Sequence, residues 1–203
     1  MGSVRHRTKA KARPPGRPRL FDEDAALERA LELFWERGLA ATSLDDLAAA
    51  MGMRRPSLAN AFGDKQALYR LALARFAERA RAGAAAAFAE PELAAALERF
   101  YLAALDLYCA REPAAGCMVV CTAPAAALVH PEVRADLLAV VRDLDAALAR
   151  RFAQAEDAEP AISAKLAQAV LHTLAIRARA GESKASLRRL ARAAANRLGS
   201  KGS

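Results

Sequence analysis

The chain has 203 residues, of which 54% are apolar but only 5% aromatic, and alanine and leucine supply most of the apolar total. Its formal charge of +8 is uneven: Arg5, Arg7, Lys9, Lys11, Arg13, Arg17 and Arg19 carry seven of those charges within the first 20 residues, which hold no acid. That balance favours helices over sheets, gathers polyanion attraction at the N-terminus, and leaves no apolar run of the ~18 residues a membrane span requires. Cys109, Cys117 and Cys121 are odd in number and lack paired CxxC spacing, which speaks against a disulfide framework or a zinc site and for a reducing cytoplasm. The N-terminus also lacks the apolar core of a signal peptide.

Residues 1–20 contain Pro14, Pro15 and Pro18 and almost nothing apolar, the composition of an extended basic arm. From Asp22 onward Leu27, Ala30, Leu31 and Phe34 recur at helical spacing, and Gly38 closes that first helix. Thr42 followed by Asp45 has the form of a capping box for a short second helix carrying Leu44, Leu47, Ala48 and Met51, which Gly52 ends. Pro56 is tolerable only in a first turn, so a short third helix is predicted from about Arg55 to Phe62. Asp64 can cap a fourth.

Pro91 is predicted to open a fifth helix at its first position, with Leu93, Leu97, Phe100, Tyr101, Ala104 and Tyr108 in phase. A short apolar helix over Cys117–Ala127 contains Pro124 and is expected to kink or break. Pro131 and Pro160 open two further long helices, and Ser183 can cap the last. Strand-like alternation and internal repeats are both missing from the sequence. The reading is therefore an all-α chain of about nine helices.

The second and third segments, joined through Gly52, match a helix-turn-helix in length and turn chemistry. A short helix braced by its neighbours can present its start to the major groove, where Arg54 or Arg55 could bond a guanine and Ser57 and Asn60 could read other edges. Spacing alone equally allows a short connecting helix with solvated arginines. The arm also has two readings. Arg17 and Arg19, in Gly16-Arg17-Pro18-Arg19, could lie in a narrow minor groove, or the whole tail could add sequence-independent phosphate attraction.

Five segments share one resemblance: Gly16–Asp22; Ala30-Leu31-Glu32-Leu33-Phe34-Trp35-Glu36-Arg37-Gly38; Thr42-Ser43-Leu44; Met51-Gly52-Met53-Arg54-Arg55-Pro56-Ser57-Leu58; and Ala61-Phe62-Gly63-Asp64-Lys65. In order, spacing and residue type they resemble the TetR family of transcriptional regulators across residues 16–70, and Ile176–Glu182 is similar to one branch of it. The resemblance implies an N-terminal three-helix helix-turn-helix domain and a C-terminal helical domain for ligand binding and dimerisation. It makes Arg54, Arg55, Pro56, Ser57 and Asn60 the readers, Thr42 and Ser43 phosphate contacts, and Lys65 a residue beside the DNA backbone. Ala59 departs from the pattern, since that position usually holds a tyrosine that reaches a phosphate. Arg54 stands where a small capping residue is usual. The implied division is an arm over 1–20, a DNA-binding domain over 21–66 and an effector-binding and dimerisation domain over 67–200.

In that family the last two helices pair with those of a second subunit, which implies a homodimer interface through Leu166, Val170, Leu174, Leu187, Leu190 and Ala194. The remaining helices would enclose a pocket for an apolar or aromatic small molecule, and Tyr101, Tyr108, Cys117, Cys121 and His130 are candidate lining residues because each brings a polar tip to an apolar wall. The implied function is a one-component regulator of the bacterial cytoplasm and nucleoid, most simply a repressor that binds a palindromic operator in double-stranded DNA and leaves it when an effector binds. Cys117 and Cys121, four residues apart, raise the alternative of a thiol-based redox or electrophile sensor, and the arm that of a nonspecific architectural DNA-binding protein. No catalytic, metal-binding or cofactor motif is present: His6, His130 and His172 stand in unrelated contexts.

Overall fold

A computed structural model of the chain describes residues 22–200, and among these every regular element is a helix. They are α1 (Glu23–Arg37), α2 (Leu44–Met51), α3 (Arg55–Phe62), α4 (Lys65–Phe88), α5 (Leu93–Tyr108), α6 (Met118–Cys121), α7 (Ala123–Val129), α8 (Pro131–Gln154), α9 (Pro160–Arg179) and α10 (Lys184–Gly199). The described residues thus hold ten helices rather than nine. The extra one arises because the segment expected over Cys117–Ala127 divides at Thr122, two residues before Pro124, whose ring and missing N–H forbid a continuous helical turn.

Two helix starts differ from expectation. The capping box of α2 is Ser43 with Asp46, not Thr42 with Asp45: Ser43 Oγ accepts from the Asp46 N–H at 3.0 Å and the Asp46 carboxylate accepts from the Ser43 N–H at 3.0 Å. Thr42 is turned inward instead, 1% exposed, and its hydroxyl donates to the Gly38 carbonyl at 2.7 Å. Pro91 lies outside α5, which begins after Glu92 because that carboxylate accepts from the N–H groups of Ala94 (3.0 Å) and Ala95 (2.7 Å). Pro131 and Pro160 do occupy first helical positions.

α1 packs on α2 and α4, and α3 rests on α2. The inner faces meet in Phe34 against Tyr69 (ring centroids 5.1 Å apart) and Trp35 against Phe76 (4.9 Å), both edge-on. α4 is 24 residues long, roughly 36 Å at helical rise, and continues from this cluster into the second layer of packing. There it meets α5 and α8, with α9 and α10 closing the far side. Gln66 with Glu132, Arg70 with Asp136 and Arg81 with Asp143 link α4 to α8 in ascending order, so those two helices run side by side in the same direction.

The N-terminal helices are joined to the body by polar contacts that run from buried to exposed. Trp35 Nε1 donates to the Gly116 carbonyl at 2.9 Å. Arg179, at the end of α9, donates to the carbonyls of Trp35 (3.3 Å), Glu36 (2.8 Å) and Ala115 (2.9 Å). A cation there meets the negative end of the α1 dipole and satisfies carbonyls that lack helical partners.

Candidate nucleic-acid interface and interior cavity

Leu47, Ala48 and Met51 hold α2 in the core, and Gly52 turns the chain with φ 65° and ψ 32°. α3 is then anchored at two points, Leu58 (1% exposed) and Phe62 (9%), leaving Arg54, Arg55, Pro56, Ser57, Ala59 and Asn60 together on the outer face. Arg54 occupies the N-cap position without a side-chain cap, so the first N–H groups of α3 are unsatisfied by it. The outer face of α3 is therefore cationic and rich in donors at its start. Arg55 forms a two-point contact with the Asp45 carboxylate of α2. Both partners are more than half exposed, so the pair contributes little to stability and the guanidinium can exchange it for another acceptor.

The remaining residues of this region divide. Ser43 is exposed at the start of α2 beside two acids, Asp45 and Asp46, and its hydrogen bonds hold the Asp46 carboxyl below the usual carboxylate range. The buried hydroxyl of Thr42 points away from that surface, which corrects its expected use as a phosphate ligand; only the start of the helix is left for that role. Lys65 Nζ donates to the carbonyls of Leu39 (2.9 Å) and Thr42 (3.0 Å), fastening α4 to the α1–α2 turn. Arg17 and Arg19 lie outside the described residues.

A cavity of about 810 Å³ runs between α4 and α8 over a floor of α5 and α9. Phe76, Phe88, Phe100, Leu107, Leu144 and Leu171 supply much of its apolar wall. Tyr108 and Cys117 line it, as expected, whereas Tyr101 does not: it is fully buried with its hydroxyl donating to the Ala167 carbonyl at 3.0 Å. Cys121 and His130 line a separate hollow of about 590 Å³ between the α1–α2 turn and α7. Burial pushes the Cys117 thiol up to about 11, opposed by the hydrogen bond with Tyr108, and also raises Cys109. A thiol so held has little of the thiolate that a sensor cysteine uses.

Among the cavity residues that the sequence reading did not propose are the polar Arg151, Gln168 and His172. A signal for the first two existed. Arg151 continues the apolar stripe Leu144–Leu148 by three residues, and Gln168 stands in phase with Ala164, Leu171 and Ala175. A polar side chain in a buried stripe marks a place where something polar must be met. Gln168 Nε2 donates to the Val141 carbonyl at 3.2 Å. Burial lowers the His172 imidazole from its ordinary value, and Asp145 acts in the opposite direction.

Of the residues expected at a subunit interface, Leu174 and Leu187 are fully buried inside this chain, which corrects their assignment to an outward face. Leu166 is 53% and Leu190 36% exposed, while Val170 and Ala194 are half-buried. Ile162 and Ile176, 51% and 55% exposed, extend the α9 face that Leu166 begins. This apolar stripe stands outside the core of the single chain.

The family model for bacterial regulatory proteins of the tetR family matches residues 26–72, which enclose α2 and α3. The chain is 37% identical over 107 residues to the HTH-type transcriptional repressor ComR of Escherichia coli (strain K12), across 52% of this chain and 51% of that protein. It is 40% identical over 62 residues to the HTH-type transcriptional repressor BdcR of the same organism, across 30% of this chain and 32% of that one. The matched part therefore spans about half, or a third, of those relatives' lengths. Among solved structures, a cysteine mutant of the TetR family transcriptional regulator CifR, complexed with 26bp double-strand operator DNA, superimposes with a TM-score of 0.77. It is 30% identical, and the match covers 89% of this chain and 98% of that one. A TetR-family regulator from Streptomyces coelicolor shares the fold alone, at 16% identity and a TM-score of 0.77 over 87% of this chain and 93% of the other. These relatives are transcriptional regulators, not enzymes. The chain belongs to the TetR family of bacterial transcriptional regulators.

Proposed function

We propose that the protein is a homodimeric repressor of the bacterial cytoplasm that binds a palindromic operator and releases it when a small molecule enters the cavity between α4 and α8. The observation that carries this reading is the outer face of α3, where Arg54, Arg55, Ser57 and Asn60 are all exposed while Leu58 and Phe62 fix the helix from behind. These are the proposed base and phosphate contacts, with Pro56 setting the start of the helix and Ser43 meeting phosphate at the start of α2. Lys65 supports the surface by holding the α1–α2 turn. Arg17 and Arg19 are assigned to the flanking minor groove.

In the proposed division, residues 1–20 are the arm, 21–66 read DNA, and 67–200 dimerise and bind the effector. The exposed stripe of Ile162, Leu166 and Ile176, with Leu190 on α10, supports a second subunit at that face. A two-fold pair would set the two α3 helices about one DNA turn apart, ~34–36 Å. Arg179 and Trp35 supply a route from the body to α1. A ligand that favours a wider dimer would draw the population away from the DNA-binding form. Operator-bound CifR supports the reading by analogy of fold and sequence.

The test is selection of bound sites from a random double-stranded DNA library at near-physiological salt. The expected result is an enriched palindrome with half-sites about one turn apart. Binding without enrichment that vanishes as salt rises would replace this reading with nonspecific attraction through the basic arm.

A further inference from the structure

We infer that the α4–α8 cavity takes an amphipathic monoanion, an apolar chain or ring ending in a carboxylate, with Arg151 as its counter-charge. The inference rests on the reading of this cavity as an effector site and specifies the chemistry of what enters it. Arg151 is 5% exposed, yet among the described residues no carboxylate lies within ion-pair distance of it. Its Nη2 donates to the carbonyls of Glu90 (2.9 Å) and Pro91 (2.7 Å), which are neutral acceptors. The adjacent acid is already committed, because the Glu90 carboxylate is paired with Arg99. Burying a charge without a charged partner is costly unless something balances it.

The guanidinium fork is only half used. Nε and Nη1 make no hydrogen bond among the described residues, and Arg151 is one of the residues that line the cavity. With Nη2 committed to those carbonyls, Nε and Nη1 lie on opposite edges of the guanidinium, and either can donate a charge-assisted hydrogen bond to one carboxylate oxygen. The other cations of the wall differ. Arg79 is paired with Glu28, and Arg81 with Glu78 and Asp143, whereas Arg150 is exposed at the rim. Asp143 is the lone acid of the lining, and Arg81 neutralises it.

Shape agrees with charge. The cavity follows α4 from Phe76 to Ala89 and α8 from Val140 to Gln154, roughly 20 Å of helix. Arg151, Phe88 and Phe100 form one end, and Phe76, Tyr108 and Cys117 lie towards the other. At the second end Tyr108 and Cys117 are both buried and sit beside Phe76 and Leu107, so that end offers an apolar ligand tail little polar competition. An anion held at Arg151 would thus lay its apolar body along the phenylalanine and leucine wall.

The test uses the full chain and calorimetric titration with dodecanoate and with 1-dodecanol, which has the same chain without the charge. Dodecanoate is expected to bind at least about tenfold more tightly than the alcohol. Arg151→Gln should reduce that preference to within about twofold, and Arg142→Gln, at an exposed residue of α8 outside the cavity lining, should leave it intact. Equal binding of the two probes by the wild type, no binding of dodecanoate, or an undiminished preference in Arg151→Gln would each overturn the inference. Because Arg151 also supports the α4–α5 turn, the wild-type comparison decides the matter even if the variant fails to fold. Release of a selected operator duplex by dodecanoate, read by fluorescence anisotropy, tests the repressor reading separately. Arg151-dependent binding without release would keep the anion site and remove its role as effector.

Discussion

Gly116 sits where α9, α6 and α1 converge, and replacing it with alanine tests how closely they are fitted. Its φ is +68°, a region that costs a residue with a Cβ about 1–2 kcal/mol. The added carbon would also lie 2.6 Å from the Ala175 carbonyl oxygen and 2.9 Å from Cys121 Sγ. The first of these is backbone and cannot swing aside, so overpacking should add about 1–3 kcal/mol. Gly181, with φ +88° and nothing within 4 Å of its added carbon, serves as the control because it carries only the conformational cost. Gly116→Ala should therefore lose about 2–5 kcal/mol and Gly181→Ala about 1–2 kcal/mol. At about 2–4 °C per kcal/mol for a chain of this size, the Tm values should separate clearly. Both should be measured at one protomer concentration, since the proposed dimerisation would couple Tm to concentration. Trp35, the single tryptophan, donates to the Gly116 carbonyl, so its emission should shift to the red in Gly116→Ala alone. Equal destabilisation of the two variants, or unchanged Trp35 emission, would refute the argument that close approach governs this junction.

Arg55→Ala should cost about 1–3 kcal/mol at a selected operator while barely changing Tm; an equal loss on scrambled duplex would deny it a base-reading role. Asp45→Ala, which removes the acid paired with Arg55, should change stability by less than about 1 kcal/mol and tighten operator binding, so weaker binding would show that the pair orients the guanidinium. Deleting residues 1–15 should flatten the slope of log affinity against log salt, and an unchanged slope would remove the arm from the electrostatic account. Ala59→Tyr, which restores the family's usual aromatic on the exposed face of α3, should raise operator affinity in the same titration. Lower affinity would mean the surface is built around the small residue. Burial holds the His172 pKa below its ordinary 6.5, so the folded chain binds fewer protons than the unfolded one as pH falls through that value. Stability from this group is full above about 6.5 and is lost on acidification, so His172→Gln should flatten Tm against pH between about pH 7 and 5. A slope unchanged by the substitution would assign the effect to other groups.

The helical content, the helix-turn-helix and most helix boundaries were legible from the residues because they depend on local chemistry. Pro131 and Pro160 stand at first helical positions, Gly38 and Gly52 end helices, and Leu47, Met51, Leu58 and Phe62 recur at the helical period. The errors came where two neighbouring residues could serve one local purpose. Thr42 and Ser43 can each cap a helix, and tertiary packing chose Ser43 by drawing the Thr42 hydroxyl onto the Gly38 carbonyl. Pro91 could have opened α5, but Glu92 accepts two orphan N–H groups there and takes that place.

The cavity and the outward face were not legible in the same way. Periodicity shows that Leu166, Val170 and Leu174 share a stripe, but not which edge of a broad stripe meets the chain's own core. In the fold Leu174 is enclosed and Leu166 is left outside. Tyr101 and Tyr108 look alike along α5, yet one turns its hydroxyl onto Ala167 and the other lines the cavity. Arg151 is the clearest case. As a residue type it belongs at the surface, and only the approach of α8 to the α4–α5 turn buries its guanidinium beside two carbonyls. Sequence determined the elements because propensity, capping and period act within one or two turns of chain. Tertiary structure alone decided which charges lose their water, since desolvation depends on helices that arrive from sixty or more residues away.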